Sequence, residues 1–509
     1  LPEAERSYRV VLGLSPHHAD ALRLLGALCL QVGRPEQAFP LLQDALLLKP
    51  NDPGILNNLG AALRDTGRSE EAATHFRQAL AINPTFVEAL VNLGDVLRAQ
   101  GNDEAALDCY ETAASQKPGD VHILCNLGTA LLRIGRRDDA HAKFRRALRA
   151  APDNPGVIVA LGEFLHEEGK IVDALKYYNR ALARAPEFTR ALWWKSLALL
   201  AMGEYREGWK FYEFGIGRIR GQIDFAPMQW WDGQLAPGKH LLIWPEQGYG
   251  DSLQFIRYAE LCKQRVGRVS VLCQKPLVRL FKALPFIDDA FDMPREGSHF
   301  DEHVLMMSLP HRFDTVLETV PAAVPYLRVD PEIQAKWAVK FAGVTGVKIG
   351  LVWAGASREN SNVDAALIDR RRSVGLERMK PWFDLQGARF YNLQKDKPAE
   401  QIAALGLADR ITDFMGEVTD FADTAAIVQN LDLVITVDTS VAHLAGGLGK
   451  PVWILSRYDA CWRWLQNRPT NPWYPTARIF GQPTLGDWDS VMTEVGRELA
   501  NEIAKKALI

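Results

Sequence analysis

Three short segments of this chain combine acids, hydroxyls, cations and glycines at spacings that suit group transfer. The first is Pro245-Glu246-Gln247-Gly248-Tyr249-Gly250-Asp251, continuing through Ser252-Leu253-Gln254-Phe255. A strand that passes through Gly248 and Gly250 into a helix lets the backbone approach a ligand closely and sets Asp251 at the helix start. A carboxylate there is either a general base facing a cleft or a helix N-cap. The second group is a long polar loop that begins at Gly355-Ala356-Ser357 and ends in Arg370-Arg371-Arg372-Ser373, with Leu393-Gln394-Lys395-Asp396. If the strands before them are parallel neighbours, Arg372 and Lys395 converge on one cleft edge, where paired cations suit a diphosphate leaving group. Singly, each is a solvated surface charge. The third is Val437-Asp438-Thr439-Ser440-Val441-Ala442-His443. Here a strand runs straight into a helix, so Thr439 and Ser440 offer hydroxyl and backbone N–H groups to an anion. His443, one turn further on, either reaches the same ligand or packs in the core. His303 and His311 are reserve bases in what reads as a loop-rich stretch.

Such segments need strands to carry them. Leu241–Trp244, Val269–Cys273, Ile349–Trp353, Phe390–Leu393 and Leu433–Val437 are apolar runs without alternation, the mark of parallel strands covered on both faces. Gly449-Lys450-Pro451 turns the chain into a further strand at Val452-Trp453. Helical stretches between these runs imply doubly wound domains, whose ligands sit beyond the carboxyl ends of the strands. The polar helical stretch Asp330–Phe341 separates two such groups.

Before residue 219 the texture is different. Gly26, Gly60, Gly94, Gly128 and Gly162 recur every 34 residues. Ala38, Ala72, Ala106, Ala140 and Ala174 follow in register, then Ala45, Ala79, Ala113, Ala147 and Ala181, then Pro50, Pro84, Pro118, Pro152 and Pro186. Leu42, Phe76, Tyr110, Phe144 and Tyr178 stand between the alanines and are expected to fill the hole between successive helical hairpins. Two positions before the middle glycines stand Asn58, Asn92 and Asn126. An amide both donates and accepts, so this ladder either grips an extended peptide by its backbone or simply faces water. A sixth copy decays, with Ser196, Gly208 and Gly215 at the signature positions, and its Trp193, Trp194, Trp209 and Tyr212 suit packing against the next domain.

The chain has 509 residues, 47% of them hydrophobic, and a formal net charge of -3. That balance argues against extensive disorder and leaves no electrostatic footprint for nucleic acid. No apolar run is long enough to span a bilayer. The opening Leu1-Pro2-Glu3-Ala4-Glu5-Arg6 lacks the regions of a signal peptide, and the six cysteines are far apart with no C-x-x-C pair. Both point to reduced thiols and a cytoplasmic location. Trp462, Trp464, Trp473 and Trp488 offer flat faces for sugars or bases, or fill core beneath loops.

The 34-residue pattern resembles the tetratricopeptide repeat (TPR). Its asparagine ladder is similar to that of the TPR arm of protein O-GlcNAc transferases. From about residue 240 onward the chain resembles GT-B-fold glycosyltransferases related to ADP-heptose:lipopolysaccharide heptosyltransferases. The likeness is carried by Gly248-x-Gly250-Asp251 and Asp438-Thr439-Ser440-x-x-His443, and the whole resembles a bacterial group of TPR–glycosyltransferase fusions. The resemblance implies an α + α/β fold: a TPR solenoid over residues 1–218, a small Rossmann-like acceptor-side domain over 219–335 and a nucleotide-sugar-side domain over 336–509. It implies an inverting glycosyltransferase in which Asp251 activates the acceptor. Asp438, Thr439, Ser440 and His443 then contact the donor, assisted by Arg372, Gln394 and Lys395. The donor is a nucleotide-sugar, the acceptor a protein or peptide held by the array. No cofactor or metal is expected, because cations and a helix N-terminus are supplied and no Asp-x-Asp motif stands near the donor segment. The alternatives are an enzyme of lipid-linked glycan or lipopolysaccharide that recruits partners through its repeats, and a nucleotide-binding scaffold without turnover. The final helix, near Asp489 to Lys506, is expected to pack back across the domain junction.

Overall fold

A computed structural model describes residues 1–220, 228–294, 298–355, 363–465, 468 and 470–507. The chain divides into two compact units, Leu1–Phe164 and Leu165–Ile509.

In the first unit, helices alternate with tight turns as the 34-residue register requires. Asp52 and Asp120 cap their helices by accepting from the backbone N–H groups two and three residues on, at 2.8–3.1 Å. Gly33, Gly67, Gly101 and Gly135 end first helices with φ between 73° and 84°, a conformation that glycine adopts at little cost and other residues do not. The signature alanines are fully buried. Ala79, for example, packs with Leu56 and Ala89 where one hairpin meets the next. The large residues do a different job from the one expected. Phe76, Tyr110 and Phe144 lie within a single hairpin, each against the glycine of its own first helix. A Cβ on Gly60, Gly94 or Gly128 would stand 2.6 Å from the facing ring. Gly94→Ala should therefore force Tyr110 out of place and cost about 1–3 kcal/mol, checked by urea unfolding. An unchanged midpoint would mean that the ring moves freely.

The second unit contains the last repeat helices, among them Ile171–Arg184, Thr189–Met202 and Tyr205–Arg220, and two parallel sheets. The first sheet comprises β1 (Gln229–Trp230), β2 (Ala236–Trp244), β3 (Val266–Leu272), β4 (Asp289–Phe291) and β5 (Glu302–Leu305), in the order β1-β5-β2-β3-β4. The second comprises β6 (Val347–Val352), β7 (Ala388–Asn392), β8 (Ile411–Asp413), β9 (Leu433–Val437), β10 (Val452–Ser456) and β11 (Ala477–Gly481), in the order β11-β10-β9-β6-β7-β8. Counted from β6 this is the doubly wound 3-2-1-4-5-6 order. The chain changes direction between β6 and β9, and in the smaller sheet between β2 and β5, so each sheet opens a crevice at those strand ends.

One apolar core joins these parts. Trp209 meets Phe255 and Trp462 edge-on, with ring centroids 5.7 and 5.2 Å away, and Trp473 Nε1 donates to Tyr205 Oη at 2.8 Å. The degenerate repeat thus packs on the α/β part through its aromatics. Arg279, beside the first sheet, donates to Asp420 and Asp423 beside the second at 2.7–2.9 Å. Trp462, Trp464 and Trp473 are buried in this core, whereas Trp488 is in a separate one. Two expectations need correction. The final helix, Trp488–Ala507, packs on a face of the second sheet with Val347, Ile349 and Ile435 and not across the junction, because its apolar stripe (Val491, Val495, Leu499) matches that face. Of the polar loop expected between Gly355 and Arg372, Val363–Arg372 is helical, while Ala356 and Ser357 lie outside the described residues.

Candidate functional site

At the crevice of the second sheet the ends of β6, β7 and β9 wall a cavity of about 290 Å³. Gln394, Lys395, Thr439 and Ser440 line it, and Tyr249 closes it from the first sheet's side. The helix Ser440–Gly447 starts here with Thr439 as its N-cap and no side-chain cap. Its first N–H groups are thus open to a ligand, and their dipole favours an anion. Thr439 Oγ1 is fixed by Thr436 Oγ1 at 2.9 Å. Gln394 is a brace: its Oε1 accepts from Trp353 N and Ala354 N at 3.2 and 2.9 Å, tying the end of β6 to that of β7. Among the described residues, Lys395 Nζ makes a single long hydrogen bond, 3.4 Å to Val418 O, and it is the cation that lines this cavity.

The helix Tyr249–Phe255 faces this cavity's rim. Gly248 is its N-cap, so Asp251 is its third residue and accepts from Gly248 N at 3.2 Å. This corrects the N-cap alternative. The other oxygen of Asp251 forms an ion pair with Arg463, and both side chains are mostly buried. Gly250 is needed for close approach: a Cβ there would stand 2.9 Å from the His443 ring, with Ser440 Cα at 3.7 Å. Gly248 has an ordinary φ of −76°, and a Cβ there would meet Asp251 Oδ2 at an ordinary 3.8 Å, so nothing in the structure requires glycine there.

Arg372, Asp438 and His443 stand behind the cavity wall. Arg372 donates to the backbone carbonyl of Asp438 at 2.8 Å and pairs with Asp369, so it braces the β9 loop and does not converge with Lys395. His443 is buried. Its Nδ1 is 2.9 Å from Tyr474 Oη and its ring stacks on Trp464. Burial pulls its pKa down to about 3. A histidine kept neutral when folded but protonated when unfolded costs stability as pH falls from about 6.5 toward 3, on the order of a few kcal/mol. His443→Leu should make the acid limb of a stability–pH curve shallower, and an unaltered limb would refute this role. His303 is not in a loop but on β5, buried, accepting from Trp244 Nε1 at 3.1 Å. His311 is on the short helix Leu309–Arg312 and lines neither this cavity nor the one described below.

Glu246 and Arg463 escaped the sequence reading as functional groups. Glu246 follows β2 at the first sheet's crevice, where its Oε1 accepts from Met307 N, just past β5, at 3.1 Å. Its Oε2 is buried and has no hydrogen-bond partner among the described residues. Burial pushes its pKa up to about 8, and the neighbouring carboxylates of Asp251 and Glu213 add to this. The signals in the sequence were adjacency to the glycine turn for Glu246 and a position between two tryptophans for Arg463.

In the first unit, Asn58 and Asn92 line a groove of about 380 Å³. The ladder amides are held by side chains outside the ladder: Asn92 donates to Asn57 and accepts from Arg64, both at 2.9 Å. Asn126 donates to Asp95 at 3.1 Å and is not part of the groove lining.

Family models described as tetratricopeptide repeat match residues 19–85, 52–117, 85–153, 125–187 and 167–208. The N-terminal region is an array of tetratricopeptide repeats. Solved structures similar to the TPR array include Pseudomonas aeruginosa pilF, with 25% identity, TM-score 0.34, 40% of this chain covered and 93% of that one. Another is a thermophilic TPR protein of Thermus thermophilus, with 25% identity, TM-score 0.33 and coverages of 36% and 99%. Protein FlbA of Caulobacter vibrioides is 28% identical over 342 residues, 60% of this chain and 54% of FlbA. This chain thus spans about half the length of that relative. The matched share exceeds what the TPR array occupies, so the likeness continues into the α/β part. No described helix is long and apolar enough to cross a membrane.

Proposed function

We propose that the chain is a GT-B-fold glycosyltransferase that moves a sugar from a nucleotide-sugar to a protein acceptor recruited by the TPR array, with inversion and without a metal. The supporting observation is the meeting of two helix starts at the facing crevices. Gly250 brings the Asp251 helix against Ser440, whose helix opens on a cavity with Lys395 in its wall. In this reading the acceptor hydroxyl gives its proton to Asp251 as its oxygen bonds to the anomeric carbon. The bond from that carbon to the donor phosphate breaks, and the electron pair leaves with the nucleotide. Lys395 and the N–H groups at Ser440 and Val441 meet the charge that develops there.

A second reading, a nucleotide-binding scaffold, draws on the Arg463 ion pair that already occupies Asp251. Both readings require nucleotide in the cavity. Thermal unfolding against UDP, GDP, ADP, CMP and their sugars tests this. A ligand at ~100 times its dissociation constant adds about 2.7 kcal/mol, and Lys395→Ala should remove most of the shift. No shift with any nucleotide would sink both readings.

A further inference from the structure

A second cavity, of about 270 Å³, shares no lining residue with the first. Trp193, Trp194 and Trp462 form its apolar wall, and Arg371, Arg457 and Arg463, together with the carboxylates of Glu167 and Asp459, its charged one. Two of these guanidiniums are committed. Arg371 donates to Glu167 and Asp459 at 3.0 and 3.3 Å. Arg463 pairs with Asp251 and donates to Cys461 Sγ at 3.1 Å.

Arg457 differs. Its side chain is 14% exposed, and its buried Nη1 meets no hydrogen-bond acceptor among the described residues. Its Nε is ion-paired with Asp459 Oδ1 at 3.3 Å, without the geometry of a hydrogen bond, so its charge is balanced while its N–H groups are not. A buried guanidinium with unmet N–H groups is costly, and a carboxylate is the acceptor whose charge and geometry suit it best. Tryptophan faces alongside would hold the apolar body of such a ligand. The volume is close to the lower bound of small-molecule sites, enough for one sugar ring or one peptide residue.

We propose that this cavity binds a carboxylate-bearing group, with Arg457 as its main contact. Two sources share that chemistry: an acidic residue of a peptide and a sugar acid. Because Arg463 belongs both to this wall and to the Asp251 pair, the occupant would sit one side chain away from Asp251.

The test titrates the full chain with sodium glucuronate against glucose, and with N-acetyl-glutamate methylamide against its glutamine twin. Tryptophan fluorescence and calorimetry are the readouts. One acidic probe should bind at least tenfold more tightly than its neutral twin, and which one does identifies the source. Arg457→Met should weaken that binding at least tenfold, and Arg457→Lys should restore part of it. If the Met variant fails to fold, Trp194→Ala must produce the loss instead. Equal binding of the twins, absence of binding by both acidic probes, or binding that survives these variants overturns the proposal. Shifts produced by nucleotides at the first cavity are separate, so failure here leaves the glycosyltransferase reading standing.

Discussion

Changing Asp251 to Asn should lower sugar transfer by about 10²–10⁴-fold while leaving nucleotide binding intact. The substitution keeps the side chain's size and its hydrogen bond from Gly248 N, so the Tyr249–Phe255 helix should hold its place. What it removes is the proton acceptor and one half of the ion pair with Arg463. Lys395 and the Ser440 helix are untouched, so the donor cavity should bind as before. Parallel measurement of transfer and of nucleotide binding separates the two effects. Full activity in the Asn variant would remove Asp251 from the chemistry, and loss of both would point to a folding defect.

Glu246→Gln should stabilise the protein at pH 8–9 by about 2–4 kcal/mol and do little at pH 5. Burial, reinforced by Asp251 and Glu213, raises the Glu246 pKa to about 8, against 4.5 for an ordinary glutamate. Between these values the folded protein holds a proton that the unfolded chain releases. Stability is therefore greatest below about pH 4.5 as far as this group is concerned, and is lost as pH rises toward 8. Gln cannot titrate, and its carbonyl can still accept from Met307 N. Denaturant unfolding of both proteins from pH 5 to pH 9 measures the difference. Parallel curves would mean that Glu246 titrates as a solvated carboxylate.

The repeats were legible because a solenoid restates its packing every 34 residues: Gly60, Gly94 and Gly128 each face a ring, Gly26 faces Leu42 at the same register, and the signature alanines are buried. The parallel strands were legible because burial on both faces strips a strand of polar residues, as in β9 and β10. Short edge strands such as β1 and β8 carry too few residues to show a pattern. The placement of site residues was less legible. Thr439, Ser440 and Lys395 follow strand ends directly, so topology alone delivers them to the cavity. Arg372 and His443 are also near strand ends, yet their side chains turn to Asp438 and Tyr474. That choice depends on long-range partners that spacing does not encode. The same holds for Arg463, which meets Asp251 across 212 residues of sequence.

In the proposed function the array delivers a protein to a sugar-transferring cleft. Proteins held by the wild-type array, but not by an Asn58→Ala/Asn92→Ala variant, should be incubated with the nucleotide-sugar that binds the first cavity. Intact-mass spectrometry then follows the captured protein while released nucleotide is assayed. The expected result is a gain of one or more sugar residues matched by nucleotide release, and neither change with Asp251→Asn. Nucleotide binding with no mass gain and no release, with a captured protein present, would contradict it.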